Sequence, residues 1–153
     1  MDIDIIKAEN RYLIDCKVAL QKSELGRVYF AEEDKAIKVL KEGISKGEIS
    51  IALNKECTCV GFIWFILNGA FHSFPYLHMI VVKEEFRNLG IGKKLLEHFE
   101  EITSKTSSKL FLVVADFNHK AKQLYENIGY EDVGNIPNLY KDGVTECLMM
   151  KEI

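Results

Sequence analysis

Hydrophobic residues along the chain recur at two spacings, and the switches between them divide it into strands and helices. Ile3 and Ile5, two apart, indicate a short first strand, after which Asn10 can cap a helix carrying Leu13, Val18 and Leu20. A second helix is expected over residues 32–46, with Ala36, Ile37, Val39 and Leu40 on one face and Gly43 and Gly47 marking its end. Strands follow over 48–54 and 57–67. The Lys55-Glu56 connection is too short for a parallel crossover, so this pair is expected to form an antiparallel hairpin. Residues 68–75 read as a loop with aromatic content, 76–82 as a strand and 83–89 as a loop. Beyond it Ile91, Leu95, Leu96, Phe99 and Ile102 keep a helical period. The apolar run 110–115 fits a strand buried on both faces, as in a partly parallel sheet. From about residue 118 a helix presents Ala121, Leu124, Tyr125 and Ile128, with Gly129 where a left-handed C-terminal cap belongs, and strands over 130–136 and 144–150 complete the pattern. The class is α/β (α+β): one central, mixed, mostly antiparallel sheet of about six to seven strands flanked by about four helices. With no repeat, linker or low-complexity tract, residues 1–153 are expected to form a single domain.

Composition narrows the partners. The chain is 48% apolar and 28% charged, with two prolines, which is ordinary for a globular protein. Twenty basic residues against 23 acidic ones leave a net charge of -3, which argues against nucleic acid as the main partner and leaves room for a cationic small substrate. The longest apolar run, 60–67, falls far short of the roughly 20 residues of a spanning helix, so no membrane partner is expected. Met1-Asp2-Ile3-Asp4-Ile5-Ile6 has neither the basic start nor the long apolar stretch of a signal peptide. Cys16, Cys57, Cys59 and Cys147 form no CxxC pair and lack histidines at zinc-finger spacing. Free packing thiols in a reducing cytoplasm, and no metal, are the expectation. A homodimer is left open.

The chemistry concentrates where the strand ending at Val82 leads through Arg87-Asn88-Leu89-Gly90-Ile91-Gly92 into a helix. A helix start aims unpaired backbone N–H groups at one point and attracts anions. A side chain at Gly90 or Gly92 would hold phosphate oxygens away from those amides, and Gly90 can take a positive φ. Arg87, Lys93 and Lys94 add positive charge. A dinucleotide fingerprint is rejected, because its third glycine would stand at Leu95 and seven residues separate strand from glycine. A Walker-type loop fails as well: Lys94 replaces the hydroxyl after Gly92-Lys93, and the glycine that should precede is missing.

Two segments carry a family resemblance. Ile80-Val81-Val82-Lys83-Glu84-Glu85-Phe86-Arg87-Asn88-Leu89-Gly90-Ile91-Gly92-Lys93-Lys94-Leu95-Leu96 resembles the strand, pyrophosphate loop and helix of the GCN5-related N-acetyltransferase superfamily. Asn118-His119-Lys120-Ala121-Lys122-Gln123-Leu124-Tyr125-Glu126-Asn127-Ile128-Gly129-Tyr130 is similar to its later Asn, Ala, Leu-Tyr-Glu and Gly-[Phe/Tyr] segment. Glu84 stands where the family often has proline. The resemblance implies acetyl-CoA as cosubstrate, without metal, and direct transfer to a primary amine in a ternary complex, the acceptor being a small molecule or a peptide. It assigns the pyrophosphate to Arg87, Asn88, Leu89, Gly90, Ile91, Gly92 and Lys93. Backbone groups of Ile80, Val81 and Val82 would pair with the pantetheine arm as an added strand, and a strand N–H would stabilise the oxyanion. Asn118 would hydrogen-bond the pantetheine, although its position also suits a helix N-cap. Tyr125 would protonate the leaving thiolate, the alternative being a core aromatic. An ammonium must lose a proton before it attacks, and His78 is the candidate base, with His72, Glu48 and Glu56 behind it. Lys120 and Lys122 are candidates for the 3'-phosphate. Tyr29, Phe30, Phe71, Phe74 and Tyr76 are candidates for an aromatic acceptor pocket, against a plain core role. A non-catalytic CoA-binding or sensing module, or a transferase of another acyl group, uses the same loop.

Overall fold

The computed structural model describes residues 1–153. The elements run β1 (Asp4–Lys7), α1 (Leu13–Gln21), α2 (Glu24–Tyr29), α3 (Glu33–Ser45), β2 (Ile49–Leu53), β3 (Cys59–Ala70), β4 (Phe74–Val82), α4 (Ile91–Thr103), β5 (Lys109–Ala115), α5 (His119–Asn127), β6 (Glu131–Pro137) and β7 (Thr145–Glu152). All seven strands join one sheet in the order β1-β2-β3-β4-β5-β7-β6. β4 and β5 pair in parallel, which α4 makes feasible by supplying the long crossover. The pairs β1/β2, β2/β3, β5/β7 and β6/β7 are antiparallel. The expected mixed, mostly antiparallel α/β arrangement is therefore found, with five α-helices where about four were expected. No helix is long and apolar enough to cross a membrane.

Three local readings need correction. Residues 68–75 are not a loop. β3 continues to Ala70 and β4 starts at Phe74, with Phe71 and His72 at φ 56° and 57° and Ser73 N–H donating to Ala70 O at 3.1 Å. This is a two-residue hairpin of the type that normally takes Asn-Gly. An edge-on contact of Phe71 with Phe111, ring centroids 5.3 Å apart, accompanies the unusual residues at the turn. The second correction is α2, whose six residues are too few to display a period. Ser23 Oγ caps it by accepting from Gly26 N–H at 3.0 Å, and Gly26 is required because a Cβ there would stand 1.7 Å from Leu20 O. The third is Cys57, which is exposed at φ 61° in the β2-β3 connection rather than packed, whereas Cys16, Cys59 and Cys147 are buried and all four are free.

The residues cluster into two compact units, Met1–Phe65 with Met79–Glu101 and Ile66–His78 with Ile102–Ile153. In the first, α1 packs on α3, and Leu20, Leu40, Ile49, Ile51, Phe62 and Leu95 are fully buried. Burial of each such side chain stabilises by about 1.5–3 kcal/mol. In the second, β5 lies between β4 and β7. Leu110, Leu112 and Val114 alternate on one buried face of β5, and Met149, opposite Leu112, joins them.

Candidate functional site

The first unit contains the start of α4, where the sequence places a candidate anion site. Lys83 N–H donates to Val60 O at 2.8 Å, fixing the point where the chain leaves β4. A 3-10 turn over Glu84–Phe86 follows, and Asn88 and Gly90 then take φ values of 62° and 81°. The first helical bond of α4 runs from Lys94 N–H to Gly90 O, 3.2 Å. The amides of Ile91, Gly92 and Lys93 therefore have no intrahelical acceptor. No acid occupies the first turn, and Leu89 and Gly90 are exposed. A Cβ at Gly90 would have nothing within 4 Å, and one at Gly92 would come no closer than 3.9 Å to Val82 Cγ2. The protein itself thus leaves space over these amides, as phosphate oxygens require.

Basic residues around this helix start divide their roles. Arg87 donates from Nε to Val82 O and from Nη2 to Lys22 O, each at 3.2 Å, and so clips the loop to its own strand and to the residue capping α1. Lys94 Nζ donates to Met1 O at 2.7 Å, while the Lys93 side chain is exposed. Lys83, which the sequence did not mark, is 9% exposed and ion-paired with Asp15 at 2.7 Å. It anchors the start of the loop.

The second unit holds the aromatic and titratable groups. β4 pairs with β5 only at Tyr76↔Phe111 and Leu77↔Leu112. Tyr76 and His78 sit on the same half-buried side of β4, ring centroids 6.2 Å apart. Tyr76 Oη lies 3.0 Å from Tyr140 Oη. Phe74 packs on Phe111, centroids 5.5 Å apart. Glu146 on β7 is 3% exposed. Burial pushes the Tyr76 phenol well above its ordinary range, and Tyr140, Glu146 and Tyr125 push it in the same direction. On α5, Tyr125 is buried, its ring 5.9 Å from that of Tyr130, and burial raises its phenol too. Both phenols stay protonated at neutral pH.

Several expected residues fall elsewhere. Tyr29 and Phe30 belong to the first unit, at the end of α2, where Lys35 Nζ lies 5.5 Å from the Phe30 ring centroid. Phe71, Phe74 and Tyr76 belong to the second unit. Asn118 occupies the N-cap position of α5 without a side-chain capping bond. Lys122 is engaged by Asp132 at 3.2 Å, and Glu48 accepts from Trp64 Nε1 at 3.2 Å. His72 is exposed at the hairpin turn and Glu56 in the β2-β3 connection. Tyr140 and Glu146 were not singled out from the sequence. Only their pairing with strands distant along the chain marks them.

A family model described as "Acetyltransferase (GNAT) family" matches residues 15–130. The thialysine N-epsilon-acetyltransferase of Sus scrofa is 36% identical over 74 residues, 48% of this chain and 44% of that protein. The chain thus spans less than half the length of that relative. Among solved structures, Ard1 from Thermoplasma volcanium superposes with a TM-score of 0.83 at 18% identity, covering 100% of this chain and 99% of the other. An aminoglycoside 6'-N-acetyltransferase complexed with coenzyme A gives 0.70 at 22% identity, covering 97% and 96%. At these identities the two structures speak for the fold alone.

Proposed function

The chain belongs to the acetyltransferase (GNAT) family, and on that premise we propose that it moves an acetyl group from acetyl-CoA to a primary amine by direct attack in a ternary complex. The observation that carries this reading is the α4 start. Gly90 turns the chain at φ 81°, Gly92 leaves the amides uncovered, and no acid opposes an anion there. Ile91, Gly92 and Lys93 N–H groups hold the pyrophosphate, with Lys93 adding charge. Arg87 holds the loop in shape more than it holds phosphate, since two of its donor nitrogens are directed at carbonyls. Ile80, Val81 and Val82 offer main-chain groups to the pantetheine, and Asn118, whose side chain makes no capping bond, contributes a hydrogen bond.

Acetyl-CoA supplies an activated thioester carbonyl. His78 takes the proton that the attacking ammonium must lose. Tyr125 hydrogen-bonds the sulfur and gives up its proton as the thiolate leaves. Burial makes the phenol a weaker acid, so this transfer is balanced only when the thiolate is equally desolvated, because burial raises the pKa of both anions. Because the porcine relative is named for acetylation at the N-epsilon of thialysine, side-chain amines of amino acids head the acceptor panel, followed by polyamines, aminoglycosides and N-terminal peptides. Release of free CoA thiol in the presence of an amine, and not without one, is the expected result. CoA binding without turnover on any member of the panel would favour a sensing module.

A further inference from the structure

The turn between β4 and α4 is closed on itself and fastened at two points to a helix distant in sequence. Phe86 N–H donates to Lys83 O at 2.9 Å, and Arg87 Nε donates to Val82 O at 3.2 Å. Residues 82–87 therefore form one small ring of chain, and the side chains of Lys83 and Arg87 both run from it to α1. The ammonium of the buried Lys83 meets the Asp15 carboxylate, in the first turn of α1, at 2.7 Å. Arg87 Nη2 donates at 3.2 Å to the carbonyl of Lys22, the C-cap residue of α1, which also accepts from Arg27 Nη2 at 3.2 Å. Carbonyls at a helix C-terminus lack intrahelical donors and lie at the negative end of the dipole, so this one suits guanidinium groups. Asp15 and Lys22 are seven residues apart, about 10 Å along the helix. A single attachment would let the turn pivot, whereas two at this separation fix its orientation.

The amides of Ile91, Gly92 and Lys93 are set by α4, whose Ile91, Leu95, Leu96 and Phe99 are buried. Asn88, Leu89 and Gly90 are exposed and follow directly on Arg87, so their place depends on the turn. We propose that Asp15 is a positioning residue for the pyrophosphate site, which, through Lys83 and together with the Arg87–Lys22 contact, holds the turn so that Asn88 to Gly90 leave the α4 amides open. This rests on the CoA-binding part of the function proposed above, and not on acetyl transfer. Charge alone predicts the opposite sign: removing a carboxylate from the neighbourhood of an anion favours the anion. Positioning predicts that the anion binds less well.

Calorimetric titration with CoA tests this, because it reads Kd separately from the fraction of protein that binds, and it needs no acceptor amine. Asp15→Asn is expected to raise Kd about tenfold, the low end for loss of one charge-assisted hydrogen bond, with the binding fraction unchanged. A merely structural defect would lower the fraction and leave Kd alone. Asp15→Glu should restore most of the affinity. Glu33→Gln, which removes the ion pair of the same helix with α3 through Lys17, should leave Kd as in wild type. Lys83→Met should weaken binding as well, and in its background Asp15→Asn should change nothing, since the two residues act as one unit. That double variant keeps the test open if Asp15→Asn alone strands the buried ammonium and fails to fold. Unchanged or tighter binding by Asp15→Asn, or tighter binding when Asp15→Asn is added to Lys83→Met, overturns the inference while the CoA site stands. A wild-type protein that does not bind CoA removes the CoA reading and the inference together.

Discussion

Replacing Gly92 with alanine should strengthen the empty protein while weakening it as a cofactor binder, and the opposite signs make the test sharp. The added Cβ meets only Val82 Cγ2, at 3.9 Å, an ordinary contact, and Gly92 is not among the positive-φ residues. Alanine near a helix start therefore costs nothing sterically and gains up to about 1 kcal/mol of helix propensity. For a chain of this size that raises the melting temperature by about 0–4 °C. The same methyl group stands over amides that the account gives to phosphate. Losing one charge-assisted hydrogen bond costs about 1.5–3 kcal/mol, or roughly ten- to 150-fold in affinity. With CoA at about 100 times its wild-type Kd, ligand stabilisation is about 2.7 kcal/mol for wild type, a shift of roughly 5–10 °C. The variant's shift should fall to half of that or less. Gly90→Ala provides the contrast: at φ 81° alanine costs about 1 kcal/mol or more, so the unliganded protein itself melts lower. Scanning fluorimetry with and without CoA reads all three proteins. A Gly92→Ala protein that melts several degrees low without ligand, or that keeps the full CoA shift, would refute the reasoning.

Other changes separate chemistry from scaffold. Tyr125→Phe should lower kcat by about 10²–10⁴-fold while the CoA-induced melting shift stays, and steady-state rates at saturating substrates check it. An unchanged kcat removes Tyr125 as the acid. Gly26→Ala places a Cβ 1.7 Å from Leu20 O and should destabilise by about 1–3 kcal/mol, read as an equally lowered midpoint in CoA-free denaturation. A midpoint within error of wild type would contradict the close approach of α2 to α1. Burial, with Lys7 nearby, holds the His98 imidazole below its ordinary pKa, so the unfolded chain takes up its proton at a higher pH than the fold. The stability from the neutral form is thus present above about pH 6.5 and is lost as pH falls below it. His98→Leu should flatten the decline in melting temperature on going to pH ~5, and an unaltered slope would exclude this histidine as a cause.

How far the fold and site were legible depended on whether the signal was local. α4 spans 13 residues, enough for Ile91, Leu95, Leu96 and Phe99 to repeat a period, and Gly90 and Gly129 mark turns that need a positive φ. Their places were readable. α2, with six residues, offers no period, and only the Ser23 cap marks it. The β3-β4 hairpin escaped notice because Phe71 and His72 occupy a turn whose usual residues are Asn and Gly. The Arg87 charge is visible in the sequence, but its contacts with Val82 O and Lys22 O, which clip the loop, follow from tertiary placement that no spacing predicts. Tyr140 meets Tyr76 across 64 positions of sequence, and Glu146 joins their face through the register of β5 and β7. No spacing rule reaches that far, since strand pairing at long range is decided by the packing of the whole sheet.

The most direct test of acetyl transfer follows a labelled acetyl group. Protein, acetyl-CoA labelled in the acetyl carbon and the amine panel are mixed, quenched at successive times, and the label is located on CoA, protein or amine. Label that moves to an amine from the earliest times, with none on the protein and none released without an amine, is the expected result. Label that first accumulates on the protein would contradict direct attack, and label that stays on CoA with every amine would contradict acetyl transfer itself.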